Sequence, residues 1–353
     1  MHGKLPPLVP GVADYRNVHP QPGSHQGLDR VSISGRGRPW QTGLSDRFGA
    51  HSVPASRVRS TTTHQPCAAG APRPAAPCDC QRCCASPTVR APHSEQRARV
   101  VLAQSSMCER DWGVVRLVAD HRYLATRQIE GFFFHDHASA LTAARVCRRV
   151  LRRLADQRVL QPLERRIGGI RAGSASYVWH VGPIGQRLLG GHRRRAHEPS
   201  QLFLGHSLAV ADAHLGLVQA DRATALALER VDLEPDCWRA YTGLGGSREV
   251  LKPDLYVITL DPADPDYELR WFIEIDLGTE NLARLMGKCR RYQEAARSEG
   301  EGFPMVVWAM TNDPAAERLR EAVGRDDSLD ARLFVATTQA SLTKVIGAGG
   351  SHD

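Results

Sequence analysis

Two stretches decide the fold of this chain: Leu251-Lys252-Pro253-Asp254-Leu255-Tyr256-Val257-Ile258 and Leu269-Arg270-Trp271-Phe272-Ile273-Glu274-Ile275-Asp276-Leu277. Both are short runs of β-branched and aromatic residues, the composition of strands. Between them, Asp261-Pro262-Ala263-Asp264-Pro265-Asp266 supplies the Pro and Asp of a turn. In an antiparallel pair, opposed residues have a constant index sum. Asp254 with Glu274 sums to 528, a midpoint of 264, and Asp254 with Asp276 sums to 530, a midpoint of 265. Both midpoints fall inside the turn. Glu274 and Asp276 are two apart, so they project from one face of their strand. Three carboxylates are therefore expected to converge. Buried like charges raise each other's pKa, and a divalent cation removes that cost. Hard oxygen ligands point to Mg2+ or Mn2+. The plainer roles are a strand-opening cap for Asp254, and ion pairs to Arg270 or Arg284 for Glu274 and Asp276.

Working outward, a helix is expected from about Glu280 to Arg297, with the apolar stripe Leu282, Leu285, Cys289 and Tyr292. Lys288 borders that stripe, three after Leu285 and four before Tyr292. Lysine is rare here, 4 against 42 arginines, so its position carries more meaning than any one arginine. Metal plus lysine can activate water and stabilise charge on an attacked phosphate. A strand at Met305–Met310, a helix at Ala315–Val323 and a strand at Leu333–Ala336 follow. Upstream, Leu204, Leu208, Ala211, Leu215 and Val218 mark an amphipathic helix, and Ala225–Val231 reads as a strand. Glu234, ahead of Trp238 and Arg239, is a candidate further acid. Residues 200–346 thus read as an α/β domain, with 347–353 a disordered tail.

The segment before it has the opposite charge. Residues 107–195 hold 17 basic and 7 acidic residues, a net of +10, and residues 196–353 hold 16 and 26, a net of −10. An apolar segment at Trp112–Val118 comes first, then a helix capped by Thr126 and carrying Ile129, Phe132 and Phe133. The clearest helix of the chain, about Ala140 to Gln157, follows. One face carries Ala144, Cys147, Val150, Leu151 and Leu154; another carries Arg145, Arg148, Arg149 and Arg152. Val159–Ile167 and Tyr177–Val181 read as two strands around a turn with Arg165, Arg166 and Arg171. This order is that of a winged helix-turn-helix over 107–190, with the basic helix in a major groove and the wing on the backbone. Arginine suits both, since it pairs bidentately with phosphate and with guanine edges. A solvated arginine face is the bland alternative. Residues 191–199 read as a linker.

Residues 1–106 hold 13 of the 22 prolines and 13 basic against 5 acidic residues, the whole net charge of +8. They are expected to be a disordered Pro/Arg-rich leader, with Met107 as an alternative start. Within it, only Cys80-x-x-Cys83 of the Cys67–Cys84 cluster has zinc-knuckle spacing, and the second pair is missing. Cys108, Cys147, Cys237 and Cys289 read as core or incidental, and His135-x-His137 as a loop. No run of 18 apolar residues is present, so no membrane span is expected, and the protein is expected to be cytoplasmic. No Gly-Lys-Ser/Thr phosphate loop is found, which excludes a P-loop NTPase.

On His206-Ser207-Leu208-Ala209-Val210, Lys252-Pro253-Asp254, Phe272-Ile273-Glu274-Ile275-Asp276-Leu277-Gly278-Thr279-Glu280 and Lys288 with Tyr292, the chain resembles the actinobacterial replication-relaxation family of plasmid replication and mobilisation. Pro253-Asp254 with Glu274-Ile275-Asp276 also resembles the core of the PD-(D/E)XK nuclease superfamily. The resemblance covers roughly 107–346. It implies an α+β protein: a winged helix-turn-helix followed by a restriction-endonuclease-like domain. One departure is plain, because the superfamily carries Lys two positions after the second acid and this chain carries Asp276. The expectation is a protein that binds duplex DNA, with a site of Asp254, Glu274, Asp276 and Lys288 that would use Mg2+ or Mn2+ to cut or nick it. The alternatives are a non-enzymatic replication or transcription regulator with an inactive nuclease fold, and an accessory partner of a relaxase or replication initiator.

Overall fold

The computed structural model describes residues 93–163, 177–191, 199–243, 245–300 and 302–350. The elements in chain order are α1 (His93–Ser106), α2 (Glu109–His121), β1 (Leu124–Ala125), α3 (Thr126–Phe133), α4 (Ala140–Asp156), β2 (Leu160–Pro162), β3 (Val178–Val181) and α5 (Pro183–Leu188). Then come α6 (Gln201–Arg222), β4 (Leu228–Leu233), β5 (Arg239–Thr242), β6 (Arg248–Leu251), β7 (Leu255–Leu260), β8 (Glu268–Ile275), α7 (Leu282–Glu299), β9 (Met305–Met310), α8 (Asp313–Gly324), β10 (Phe334–Thr338) and α9 (Leu342–Gly347). The fold is α+β.

In the first half, α2 buries Val114, Val115 and Val118, α3 buries Ile129 and Phe132, and α4 buries Cys147, Val150, Leu151 and Leu154 of its expected stripe, with Ala143 rather than Ala144 as its buried alanine. Ser139 caps α4, its hydroxyl accepting the Thr142 N–H at 3.2 Å. A small antiparallel sheet in the order β1-β3-β2 closes the segment.

The second half is built on a mixed sheet in the order β10-β9-β8-β7-β4. β8, β9 and β10 are parallel, and β7 runs antiparallel to both β8 and β4. One face holds Leu255, Val257, Trp271, Ile273, Ile275 and Val307, covered by α6 and α9. The other holds Tyr256, Phe272, Val306 and Trp308, covered by α7 and α8. Burial on both faces explains why β8 and β9 are apolar runs rather than alternations.

The apolar core under α6 does not stop at the sheet. Ala211, Leu215 and Val218 of α6 belong to one buried cluster with Val114, Phe132 and Leu154 of the first half and with Leu255 and Val257 of β7. Polar ties run alongside it. Gln128 Nε2 donates to the Leu208 carbonyl at 2.8 Å, and Arg127 is bidentate to Asp212 at 2.7 and 2.6 Å. His121 Nε2 and His214 Nδ1 meet at 3.0 Å, both buried.

Several expectations need correction. The leader was expected to run to 106, but His93–Ser106 is α1. After Pro92 no proline occurs until Pro162, and the run is rich in Arg, Gln, Ala and Glu, good helix formers. Thr126 opens α3 but does not cap it: the Gln128 side chain accepts the Ala125 N–H at 2.8 Å. The Thr126 hydroxyl instead donates to the Tyr177 carbonyl and accepts from the Trp179 indole. The strand placed at 225–231 lies at 228–233, because α6 is closed by a turn with Thr224 at φ 55°. The stretch 251–258 is two strands, broken at Lys252-Pro253 where proline has no N–H to donate. The tail starts later than 347, since Gly349 and Gly350 donate back to Ile346 and Val345 and close α9. The Cys67–Cys84 cluster, the wing residues Arg165, Arg166 and Arg171, most of the expected linker and residues 351–353 lie outside the described residues.

Candidate functional site

The β7–β8 register pairs Leu255 with Ile273 and Tyr256 with Phe272, a constant sum of 528. Asp254, one residue ahead of β7, therefore stands opposite Glu274. Its backbone N–H donates to the Ile273 carbonyl at 3.0 Å, and its Oδ2 accepts the Ile275 N–H at 2.7 Å. Its other oxygen, Oδ1, meets His206 Nε2 at 2.8 Å. The Asp254 bond raises the His206 pKa against the effect of its partial burial. His206 projects from α6, so the helix that carries the shared core also reaches this carboxylate.

Glu274 is buried on the α7 side of the sheet, 5% exposed. Tyr292 donates its hydroxyl to Oε1 at 2.6 Å, and Lys288 donates to Oε2 at 3.2 Å. Burial is the largest influence on Glu274 and the Asp254 charge adds to it; together they outweigh Lys288 and push the carboxyl pKa up to about 7. Lys288 also reaches Glu280 Oε2 at 3.1 Å. Burial works against the ammonium, but Glu274 and Glu280 outweigh it and raise its pKa. Asn281 caps α7, accepting the Arg284 N–H at 2.9 Å, and so fixes the phase of the helix that aims Lys288 and Tyr292 at Glu274.

Asp254, Glu274 and Lys288 are thus brought together. Asp276 is not joined to them by any hydrogen bond or ion pair among the described residues. β8 ends at Ile275, and the chain leaves the sheet through Gly278 at φ 74°. Asp276 donates its N–H to Ala309 and accepts from Gln339 on its carbonyl, beyond the strand end. Arg270 and Arg284 take neither acid: they pair with Glu268 at 3.1 Å and Glu280 at 3.3 Å. Glu234 follows β4 and stands 3.9 Å from Arg122, lining a small cavity with His206 and Asp254. Among the described residues no group of three His, Cys, Asp or Glu side chains is arranged to hold a metal ion.

His206, Tyr292 and Glu280 carry the family resemblance, but their sequence pattern assigns none of them a chemical role. Tyr292 belongs to the apolar stripe of α7, and its spacing of four from Lys288 puts both on one face. No local signal links His206 to Asp254, because a crossing helix makes that contact.

A second surface is formed by α4. Arg145, Arg148, Arg149 and Arg152 are exposed. Arg153, next in sequence, turns inward and donates to Asp111 Oδ1 at 2.6 Å and to the Ser106 carbonyl. Asp111 is 1% exposed. Burial would raise its pKa, but the bonds from Arg153 and Cys108 outweigh it and lower it. Among the described residues, no hydrogen bond or ion pair engages the four outer guanidiniums.

Among the described residues no helix is long and apolar enough to cross a membrane. A family model described as replication-relaxation matches residues 115–305, just over half of the chain. No curated protein and no solved structure matches.

Proposed function

The chain belongs to the replication-relaxation family, and from that premise we propose a DNA-binding protein of plasmid replication or mobilisation whose α/β half is a PD-(D/E)XK-like centre able to cut or nick DNA. Residues 107–190 are read as a winged helix-turn-helix, with α4 in the major groove of duplex DNA. Residues 200–346 are read as the nuclease-like domain. The observation that carries the proposal is Asp254 facing Glu274 across the β7–β8 pair with Lys288 3.2 Å from Glu274.

The donor set suits Mg2+ or Mn2+. Such ions keep several waters and bind through one or two carboxylates plus substrate phosphate, so two acids suffice without Asp276. Asp254 and Glu274 would hold the ion, which would supply charge neutralisation at an attacked phosphodiester and acidify a bound water. The chain's own residues do the rest. Ile275 N–H fixes Asp254 Oδ2 and His206 fixes Oδ1. Tyr292 fixes the rotamer of Glu274. Lys288, half-buried, keeps its proton and places a positive charge where phosphate oxygens would gain negative charge.

A second reading is favoured by one observation: His206 and Lys288 already answer the two carboxylates. A site neutralised from within suits a regulator that retains the fold without the chemistry. A third role, accessory to a relaxase or replication initiator, would use the acidic half as its contact surface. The deciding experiment incubates the full chain, Asp254→Ala and Glu274→Gln with supercoiled, linear and single-stranded DNA in Mg2+, Mn2+ or EDTA. Metal-dependent nicking that both variants lose supports the enzyme. Cleavage and metal affinity unchanged in Asp254→Ala would end that mechanism, and a gel shift common to all three proteins would favour the regulator.

A further inference from the structure

A separate cavity of about 460 Å³ opens between α7, the β5–β6 hairpin and the loop before β10. Its polar wall includes Arg290, Arg291, Arg297, Thr242, Ser298 and Ser328. At about 100° per residue, Arg290 and Arg297 lie on the side of α7 away from Lys288 and Arg291 about 60° from it; the lining shares no residue with Asp254, Glu274 and Lys288, so this is not the carboxylate site. Three arginines around one opening run against the local charge, because residues 196–353 sum to −10. Nor are all three spent on carboxylates. Arg290 is bound to Asp326 at 2.9 and 3.1 Å. Arg291, however, donates to the Val250 carbonyl at 2.8 Å and Arg297 to the Ser328 carbonyl at 2.6 Å. Those are neutral acceptors that aim the guanidiniums, and Glu294, which shares the wall with Arg291 beside Tyr241, offsets part of the positive charge but not all of it. The one acid in the wall is Glu294, with Tyr241 at 3.5 Å from its Oε2. Aimed guanidiniums with neighbouring hydroxyls are the donor set that recognises phosphate oxygens, and the volume is that of a small-molecule site.

We infer that this cavity is a phosphate-ester site of nucleotide size, with Arg291 and Arg297 as its charged anchors. The ligand is either a free nucleotide or the 5′-phosphate end of a DNA strand, two sources of the same chemistry. The site is independent of the carboxylate centre and of α4.

The test uses the full chain and titrates it by calorimetry with inorganic pyrophosphate, with a deoxynucleoside monophosphate, and with a short single strand with and without a 5′-phosphate. Saturable pyrophosphate binding is expected, weakened about tenfold or more in Arg291→Ala/Arg297→Ala. Arg318→Ala/Arg325→Ala removes the same charge from exposed positions outside the cavity and is expected to bind as the parent does. Preference for the phosphorylated strand assigns the site to DNA ends, and preference for the mononucleotide assigns it to free nucleotide. Absence of saturable binding, or equal loss in both double variants, would overturn the inference. Because Asp254, Glu274 and α4 are untouched in these variants, the outcome is separable from that of the nicking assay.

Discussion

Glu274 is the residue on which most of the site's behaviour turns. Its folded pKa of about 7 lies above the ordinary carboxylate value of 4.5, for reasons of burial first and Asp254 second. The sign follows from linkage. The folded state binds this proton more tightly, so its contribution to stability is full below the ordinary value and is lost as pH rises through about 7. Thermal melts from pH 4.5 to 8 are expected to show that decline, and Glu274→Gln should flatten it. Cation affinity should climb over the same window, because the metal competes with the proton. Asp111 has the opposite sign. Its lowered pKa contributes stability above the ordinary carboxylate range and loses it on acidification. Removing Arg153 leaves the buried Asp111 carboxylate without its cation, with the Cys108 N–H still donating to Oδ2 at 3.0 Å. Arg153→Ala is expected to cost roughly 3 kcal/mol in denaturant unfolding, well beyond the 0–1 kcal/mol of an exposed pair. If Arg153→Ala melted like its exposed neighbour Arg152→Ala, the buried pair would count for nothing. At this scale the sequence was legible wherever one hairpin or one helix decided the geometry: the index sum placed Asp254 opposite Glu274, and helical spacing placed Lys288. Asp276 lies one residue past the end of β8, and no hydrogen bond or ion pair among the described residues ties it to Asp254, Glu274 or Lys288; nothing in its alternation announces where the strand stops.

Among elements, α4 was the easiest to read, since its seventeen residues bury one stripe and expose another. If it is the DNA-reading helix, Arg148→Ala/Arg149→Ala/Arg152→Ala should flatten the dependence of log affinity on log salt by about 3, close to 0.9 for each phosphate contact. A loss of affinity with an unchanged slope would count against α4 as a phosphate-contacting helix. The short elements were hidden. α5 starts at Pro183, which reads as a breaker in sequence and is an N-terminal helical residue in the fold. Its Gly185 lies so close to Val159, the residue before β2, that an added Cβ would meet the Val159 carbonyl oxygen. Backbone cannot step aside as a side chain can, so Gly185→Ala is expected to destabilise by about 1–3 kcal/mol, measured by chemical denaturation. β5 and β6 have four residues each, too few for alternation alone to show them; β3 is as short but legible, because Tyr177–Val181 is an unbroken run rich in β-branched and aromatic residues.

Across the whole molecule, the polar link at the heart of the shared core is the pair His121–His214. Both imidazoles have pKa values pushed down by burial, His214 to about 3. Folding therefore keeps them neutral while the unfolded chain would protonate them near 6.5. Stability from this pair is expected to fall as pH drops below 6.5 and to keep falling toward 3. Acid should thus loosen α2 from α6 earlier than it loosens the sheet, which amide exchange read along α2, α6 and β8 would report. Uniform exchange across all three would contradict it. This link could not be read from sequence, since 93 positions separate the two histidines and neither sits in a motif.

The apolar cluster that passes without a seam from α2–α4 through α6 into β7 has a consequence for ancestry. Genes are often shuffled at domain borders, where each product keeps its own interior. Here a break between α5 and α6 would leave two fragments, each with a greasy flank that the other was built to cover. The halves can diverge in surface and chemistry, but they must be passed on together, and a recombinant carrying only one should precipitate rather than compete.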